Sequence, residues 1–245
     1  MRIIFNCLLV FCLALPSFSH AETITLGAED DWYPYSANIN GQAKGFSVDL
    51  IRAAYAAVNV NVNFDPLPYA RCNKQVKDGK LLGCFDTVRS SLIEADFLWH
   101  REPMFSSRLL IYARSDSKLR NVGIAQLEGK RVAVSNGYEY GASFDGNKKV
   151  IRDVSPTDLS GFRKLLAGFT DFALAYDRVG SRLIKEHASE FGDKLVAVGQ
   201  LDELPLYISF SKHYPDSARY VALFEQGLDK VRKSGEFAEI EARWR

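Results

Sequence analysis

Short apolar strands alternate with amphipathic helices along most of the chain. Ile24 and Leu26 alternate with polar residues as in a half-buried strand, and Val48, Ile51 and Tyr55 share one face of a helix over 47–58. The same patterns predict further strands at 59–64, 81–85, 109–113, 131–134, 150–154, 172–176, 195–198 and 206–211. They predict further helices at 70–77, from Gly137, at 156–166 and 178–187, from Pro215, and at 237–244. Strands that alternate with helices indicate an α/β fold whose parallel sheets are covered on their faces.

The N-terminus has the pattern of a secretory signal peptide. Met1-Arg2 supplies a positive charge, residues 3–15 are almost entirely apolar, and Ser19-His20-Ala21 is a small-x-small cleavage motif. The apolar core is too short for a permanent membrane span. We therefore expect residues 1–21 to be removed after Ala21 and the mature chain to be exported.

The composition excludes several classes of partner. The chain has 31 Lys and Arg against 30 Asp and Glu, so nothing favours nucleic acid or an anionic membrane surface. No apolar run after the signal peptide is long enough to span a bilayer, and stable membrane insertion is not expected.

Two cysteines, Cys72 and Cys84, remain after the signal peptide. An even pair in an exported chain predicts a disulfide, and the alternative is two unpaired buried thiols. The three histidines of the mature chain are scattered, so the sequence predicts no zinc site and no other metal site.

The segment Thr23-Ile-Thr-Leu-Gly-Ala-Glu-Asp-Asp-Trp-Tyr-Pro-Tyr35, followed by Gly45-Phe-Ser-Val-Asp-Leu-Ile51, carries a family resemblance. It resembles the opening of the bacterial extracellular solute-binding proteins of family 3, the periplasmic receptors for amino acids and related solutes. The resemblance implies the type 2 periplasmic binding protein fold, with two lobes, each a mixed and mostly parallel sheet covered by helices, joined by two hinge crossovers. It implies lobe 1 at 22–111 plus 207–245 and lobe 2 at 112–206.

Aromatic side chains on the loop after the first strand are candidates for ligand contact. Trp32, Tyr33 and Tyr35 are costly to leave in water unless a ligand or a second lobe covers them, and aromatic faces also attract cations. The resemblance adds Phe46 as a second aromatic wall. Asp86 and Thr87 follow a predicted strand, where α/β proteins place ligands.

Two further candidate contacts lie in the second half of the chain. Asn136, Gly137 and Tyr138 follow a predicted strand and are expected to open a helix, whose N-terminal N–H groups suit an anion. In the family, an acid at a later strand end holds the ligand's amine. Here either Tyr176 or Asp177 occupies that position, and the register is left open.

The family's carboxylate-binding arginine is displaced in this sequence. In the expected frame, Ile93 or Glu94 stands where the arginine of the amino-acid binders lies. Arg89 comes several residues early, and Arg71 is the other candidate for a bidentate contact with a carboxylate. This departure weakens the case for a standard α-amino acid as the ligand.

The predicted function is that of a periplasmic solute-binding protein. It closes around a small polar solute, an amino acid or a related compound, and delivers it to an ABC importer or a membrane sensor. We expect a monomer with no cofactor and no catalytic residue. The alternative is a periplasmic dehydratase-like enzyme on the same scaffold, acting on a prephenate-like acid, with Glu139 and Asp177 as its candidate acids. A hydrolase triad is not supported, because no Gly-x-Ser-x-Gly elbow is present and the three histidines of the mature chain have no partner motif.

Overall fold

The computed structural model describes residues 22–244, so the predicted signal peptide lies outside the described part of the chain. The strands are β1 Glu22–Glu29, β2 Asp31–Trp32, β3 Ser36–Ile39, β4 Gln42–Lys44, β5 Val60–Leu67, β6 Gly83–Val88, β7 Phe97–Leu98, β8 Phe105–Arg114, β9 Arg131–Ser135, β10 Ile151–Ser155, β11 Phe172–Tyr176 and β12 Leu195–Ser211. The helices are α1 Phe46–Ala56, α2 Tyr69–Lys77, α3 Ile124–Leu127, α4 Ala142–Asp145, α5 Asp158–Leu166, α6 Asp177–Glu186, α7 Ser217–Ser234 and α8 Glu236–Arg243.

One mixed sheet runs through the protein in the order β10-β9-β11-β8-β12-β6-β1-β5, with β7 beside β12. At one end β1 is parallel to β5 and β6, and at the other end β9 is parallel to β10 and β11. We call β1, β5 and β6 with α1, α2, α7 and α8 lobe 1, and β9 to β11 with α3 to α6 lobe 2. A separate small sheet, β2-β3-β4, holds the aromatic loop of lobe 1.

The strands β8 and β12 connect the two lobes. They pair antiparallel from Leu195 opposite Arg114 to Leu206 opposite Phe105, with register shifts along β12. On its other edge β8 pairs with β11 of lobe 2, and the C-terminal part of β12 pairs with β6 of lobe 1. Along the chain β8 leads from the lobe 1 strands into lobe 2, and β12 leads back to the lobe 1 helices α7 and α8. The two predicted crossovers are therefore confirmed, whereas the exact lobe boundaries at 111 and 206 stay predictions.

Three local predictions are wrong. The predicted strands 195–198 and 206–211 are one strand, because β-bulges keep the intervening residues paired with β8. Gly137 does not begin a helix, since residues after β9 turn and the short helix α4 starts only at Ala142. Helix α7 begins at Ser217 rather than at Pro215.

The core of lobe 1 is built on the buried face of α1. Val48, Leu50 and Ile51 are fully buried, and each such side chain contributes about 1.5–3 kcal/mol to folding. The Tyr55 hydroxyl donates to the Tyr220 carbonyl oxygen at 3.0 Å, which ties α1 to α7. This packing places the C-terminal helices α7 and α8 against α1.

No helix between residues 22 and 244 combines the length and the apolar composition that crossing a membrane requires.

The predicted disulfide is present between Cys72 on α2 and Cys84 on β6. Their Cα atoms are 5.9 Å apart and both side chains are fully buried. Gly27 of β1 lies directly beneath the bridge, and a Cβ at this position would overlap Cys72 Sγ. The bridge therefore fixes the first turn of α2 against the centre of the lobe 1 sheet.

Replacing both cysteines by alanine is expected to lower the free energy of unfolding by about 3 kcal/mol, because the unfolded chain loses a short covalent loop. Urea unfolding followed by circular dichroism measures this loss. Reduction of the wild-type protein should reproduce it. Equal unfolding midpoints for the wild type and the double variant would contradict a stabilising role of the bridge.

Candidate functional site

A narrow cavity lies between the two lobes, where the carboxyl ends of their parallel strands face each other. Its lining residues are Glu29, Trp32, Tyr69, Asp86, Val88, Tyr138, Glu139 and Tyr176. Ligand sites of α/β sheets lie at such strand ends, because the loops that follow the strands converge there. The cavity has a volume of about 10 Å³, which is room for about one water molecule.

The lining residues lie at the ends of strands in both lobes or on the segments that follow these ends. In lobe 1, Glu29 ends β1 and Tyr69 begins α2. Asp86 lies near the end of β6 with a left-handed φ of 64°, a conformation that Asp and Asn adopt more readily than most residues. In lobe 2, Tyr138 lies on the turn after β9 and Tyr176 ends β11.

Two tyrosine–glutamate hydrogen bonds cross the cleft in opposite directions. Tyr138 of lobe 2 donates its hydroxyl to Glu29 Oε1 of lobe 1. Tyr69 of lobe 1 donates to Glu139 Oε2 of lobe 2 at 2.7 Å. We call these four residues the latch. Because it joins the lobes on both sides of the cavity, the structure is in a closed conformation.

Aromatic rings complete the cavity wall. The rings of Trp32 and Tyr176 meet edge to face across the cleft, with centroids 5.1 Å apart. Tyr69 and Tyr138 do the same at 5.1 Å. These geometries leave ring faces and edges around the enclosed space, which suits apolar or cationic groups.

The electrostatics of the site are dominated by enclosed carboxyl groups. Burial raises the pKa of Asp86 to about 7 and that of Glu139 to about 8. Burial also raises the pKa of Glu29 well above its usual range, and the neighbouring Asp158 and Asp86 raise it further. Asp158, one layer behind the cavity on α5, has its pKa raised by burial to about 7.

No positive side chain balances these acids. Among residues 22–244, the side chains that line the cavity include no Lys, Arg or His. Asp86 Oδ1 accepts a hydrogen bond from Ser47 at 2.6 Å, whereas its Oδ2 has no partner in the described chain although the residue is only 6% exposed. The indole Nε1 of Trp32 is likewise buried without a partner among these residues.

A wider space of about 400 Å³, which we call the mouth, adjoins the cavity. Glu29, Tyr69 and Tyr138 line both spaces, so the latch separates them. The remaining lining residues of the mouth are Asp30, Asp31, Asn38, Pro68, Ala70, Asn136, Pro156 and Thr157. The mouth is therefore acidic as well.

The ligand-binding residues predicted from the sequence are divided between the cavity, the mouth and other parts of the protein. Four of them line the cavity: Trp32, Asp86, Tyr138 and Tyr176. Asn136 lines the mouth, and Gly137 lies at its edge, where a Cβ would approach Ala70 Cβ of α2 to 2.8 Å. Thr87 is fully buried beside the cavity, with its hydroxyl 3.4 Å from Ser209 Oγ.

Another group of predicted residues lines a separate outer groove of about 720 Å³, beside β8: Tyr33, Tyr35, Phe46 and Asp177. Tyr35 stacks on Phe105 and is hydrogen-bonded to Ser107 at 2.8 Å. Asp177 accepts from Arg108 at 2.8 Å. Of the alternatives at the end of β11, the structure thus directs Tyr176 into the cavity and Asp177 into the groove.

Neither candidate arginine lines the cavity or its mouth. Arg89 is exposed and donates two hydrogen bonds to Glu94 Oε1, outside the cleft. Arg71 is exposed on α2. The expected helix N-terminus at Gly137 is also missing, so the predicted anion site of lobe 2 has no helix to form it.

Sequence reasoning missed Glu29 and Tyr69 as lining residues and considered Glu139 only as a catalytic acid. Glu29 could have been found, because it ends the first predicted strand and strand ends converge at the ligand site. Tyr69 and Glu139 carry no comparable signal, since their position depends on how closely the lobes approach each other.

The cavity does not support the dehydratase alternative. Of its two candidate acids, Glu139 faces the cavity and Asp177 faces the outer groove. A prephenate-like substrate needs cationic groups to hold its carboxylates, and the described cavity lining provides none.

The enclosed acids should make the ligand-free protein less stable as the pH rises from about 6.5 to 8.5. In this range the unfolded carboxyls carry no proton, whereas Asp86 and Glu139 in the folded protein keep theirs until the pH passes their pKa values of about 7 and about 8. Below its folded pKa each group costs up to about 1.4 kcal/mol per pH unit, and above that pKa its contribution to the slope disappears. Burial lowers the pKa of His100 to about 4, so this histidine is neutral in both the folded and the unfolded protein above its unfolded pKa. In this pH range it therefore does not change the free energy of unfolding.

Thermal unfolding across this pH range tests the expectation. The melting temperature should fall with pH, and Asp86→Asn and Glu139→Gln should each flatten the decrease. Asp65→Asn, at an exposed position on β5, is the control that should leave it unchanged. A melting temperature that rises over the same range would show that these carboxyls are not enclosed as acids.

Several solved structures share this architecture. A histidine kinase sensor domain with similarity to periplasmic binding proteins is 26% identical, with a TM-score of 0.79 over 92% of this chain and 96% of that chain. An ancestral arginine-binding protein bound to arginine is 18% identical, with a TM-score of 0.77 over 92% and 99%. The arginine-, lysine-, histidine-binding protein ArtJ from Geobacillus stearothermophilus is 17% identical, with a TM-score of 0.73 over 91% and 95%. They confirm the two-lobed type 2 periplasmic binding protein fold.

No relative was found among curated proteins. The sequence pattern of a known family, however, matches residues 24–245, which is nearly all of the chain after the predicted signal peptide. The chain therefore belongs to the bacterial extracellular solute-binding proteins, family 3, and is a solute-binding protein rather than an enzyme.

Proposed function

We propose that this protein captures a small polar solute in the cavity between its lobes and hands it on unchanged. The observation that carries the proposal is the latch, in which hydrogen bonds from both lobes enclose a cavity with unpaired polar atoms. The closed cavity has room for only about one water molecule, so a solute enters only when the lobes separate. Ligand contacts to both lobes then favour the closed state.

Movement between the open and closed states takes place at β8 and β12. These strands are the two connections between the lobes, and the bulges in β12 are points where the ladder bends. We propose the lobe boundaries at 111 and 206 for this reason. A solute that bridges Glu29 on one side and Glu139 on the other would hold the lobes together in place of the latch.

Export and delivery complete the proposed function. The signal sequence is cleaved after Ala21, and the mature monomer works in the periplasm. Its client is an ABC importer or a membrane sensor, and no cofactor is needed. Uptake of the identified solute by cells with and without the protein distinguishes the clients, because only loss of an importer's receptor abolishes uptake.

Solute binding should raise thermal stability without consuming the solute. In a thermal-shift screen of amino acids, amines, organic acids and short sugars, a true ligand at a hundredfold excess over its dissociation constant adds about 2.7 kcal/mol. Mass spectrometry should recover that ligand unchanged after incubation. Absence of any stabilising solute, or conversion of the ligand, would contradict the proposed function.

Closure should depend on the absence of a side chain at Gly137. Alanine there places a Cβ 2.8 Å from Ala70 Cβ and 3.2 Å from its Cα, across the cleft. We expect Gly137→Ala to bind the solute found in the screen at least about tenfold more weakly, because the added methyl group would keep the lobes from closing fully. Small-angle scattering with that solute should show less compaction than for the wild type.

Gly129→Ala is the matched control. Gly129 has a similar backbone conformation, with φ of 72° against 80° at Gly137, but a Cβ there meets no atom within 4 Å. It therefore carries the same backbone strain without the contact across the cleft. If the two variants lose affinity equally, strain rather than blocked closure is the cause.

A further inference from the structure

The balance of charge in the cavity restricts which solutes it can hold. Three carboxyl groups line the enclosed space, from Glu29, Asp86 and Glu139, and Asp158 lies behind them. Neither the cavity nor its mouth includes a positive side chain among the described residues. A carboxylate brought into this space would be buried among other carboxyl groups with no cation to pair with, which is strongly unfavourable.

The unpaired atoms identify what is missing. Asp86 is 6% exposed and has one carboxylate oxygen without a hydrogen-bond partner among residues 22–244. Buried carboxylates are normally paired with a cation or a donor. Among the fully enclosed side-chain atoms of the described lining, the donor without a partner is Trp32 Nε1, a single neutral N–H that a hydroxyl or water oxygen satisfies.

Size and shape point to the kind of cation. The closed cavity holds about one water molecule, and an ammonium group has about that size. Its three N–H donors match the carboxylate oxygens, while the rings of Trp32, Tyr69, Tyr138 and Tyr176 present aromatic surface to it. The mouth of about 400 Å³ has room for the rest of the molecule and carries Asp30 and Asp31 along the way in.

We propose that the solute of this receptor is an amine that carries no carboxylate, with its ammonium group held in the cavity by Asp86, Glu29 and Glu139. This inference rests on the proposed solute-binding function and names the chemical class of the ligand. It also explains why the arginine of amino-acid receptors is displaced here, since such a ligand has no acidic end to hold. The ammonium replaces the latch hydrogen bonds as the link between the lobes.

Binding of a cation should also release protons. The titratable groups that face Asp86 and Glu139 from the surrounding elements are all acids or tyrosines: Glu29, Tyr69, Tyr138, Asp145, Asp158 and Tyr176. Because Asp86 and Glu139 hold protons near neutral pH, an ammonium competes with those protons. Affinity for an amine therefore increases from about pH 6 to pH 8.5, whereas affinity for a carboxylate would decrease.

The test compares amino acids with the same molecules lacking the carboxylate. Isothermal titration calorimetry with three pairs, cadaverine and lysine, histamine and histidine, and agmatine and arginine, changes one group at a time. We expect at least one amine to bind at least about tenfold more tightly than its amino acid, because burying the carboxylate is unfavourable. Titrations in buffers of different ionisation enthalpy should show proton release.

The variant Asp86→Asn should weaken amine binding at least about thirtyfold, the usual loss when one partner of a buried charge pair is removed. Asparagine tolerates the left-handed backbone at this position, and Asp65→Asn on the exposed face of β5 is the control. If Asp86→Asn fails to fold by circular dichroism, Glu139→Gln replaces it with the same expected direction.

Each contrary result has a distinct meaning. If amino acids bind as tightly as the amines, or if only acids or sugars from the wider screen bind, the amine assignment is wrong and the solute-binding function stands. If an amine binds but both carboxyl variants leave its affinity unchanged, the assignment is also wrong. If no solute of any class binds, both the assignment and the proposed function fail.

Discussion

The antiparallel ladder between β8 and β12 is the constraint on which the rest of the structure depends. Because both strands pass from one lobe to the other, they bring the carboxyl ends of β1 and β6 opposite those of β9 and β11. The residues of the cavity lie at these strand ends or on the segments that directly follow them, except Tyr69, which begins α2 after β5. A change in this ladder would therefore move one wall of the site relative to the other.

The buried carboxyl groups of the site lower the stability of the ligand-free protein. Enclosing Glu29, Asp86 and Asp158 without a cation disfavours their charged forms, and burial is the main cause in each case. The ion pairs of the described chain do not offset this, because those such as Arg219–Glu22 lie at the exposed surface, where each contributes little. Stability comes instead from the apolar core and the disulfide. The groups that weaken the free protein are then the ones a suitable solute would satisfy.

The sequence predicted the architecture well because the hydrophobic periodicities are strong. Strand β1 and helix α1 were both predicted from apolar residues that are buried in the structure, such as Leu26 and Leu50. The turn at Gly137 was predicted as a helix because a strand followed by glycine often precedes one. Hydrophobic periodicity could not distinguish a turn from a helix here, since the residues after Gly137 are positioned by contact with α2 of the other lobe.

The candidate site was harder to predict, because the sequence shows which residue types are present but not where their side chains point. Adjacent residues at a strand end point to opposite sides, so Tyr176 faces the cavity and Asp177 the outer groove. Arg89 was selected as a nearby cation, and only its bond to Glu94 shows that it points elsewhere. Charge clusters formed by distant segments leave no trace in the local sequence.

The aromatic loop lies between the acidic cavity and the outer groove, whose lining includes several arginines. Trp32 lines the acidic cavity, whereas Tyr33 lines the outer groove, where Arg182 lies over its ring at 3.7 Å. In the same groove Arg178 of lobe 2 donates to Glu241 of lobe 1 at 3.1 Å. These outer contacts do not involve the residues that line the cavity, so in the proposed closing motion they would not compete with the solute, whereas the latch would. The outer contacts thus favour closure in general, and the solute determines whether the inner cavity is occupied when closure occurs.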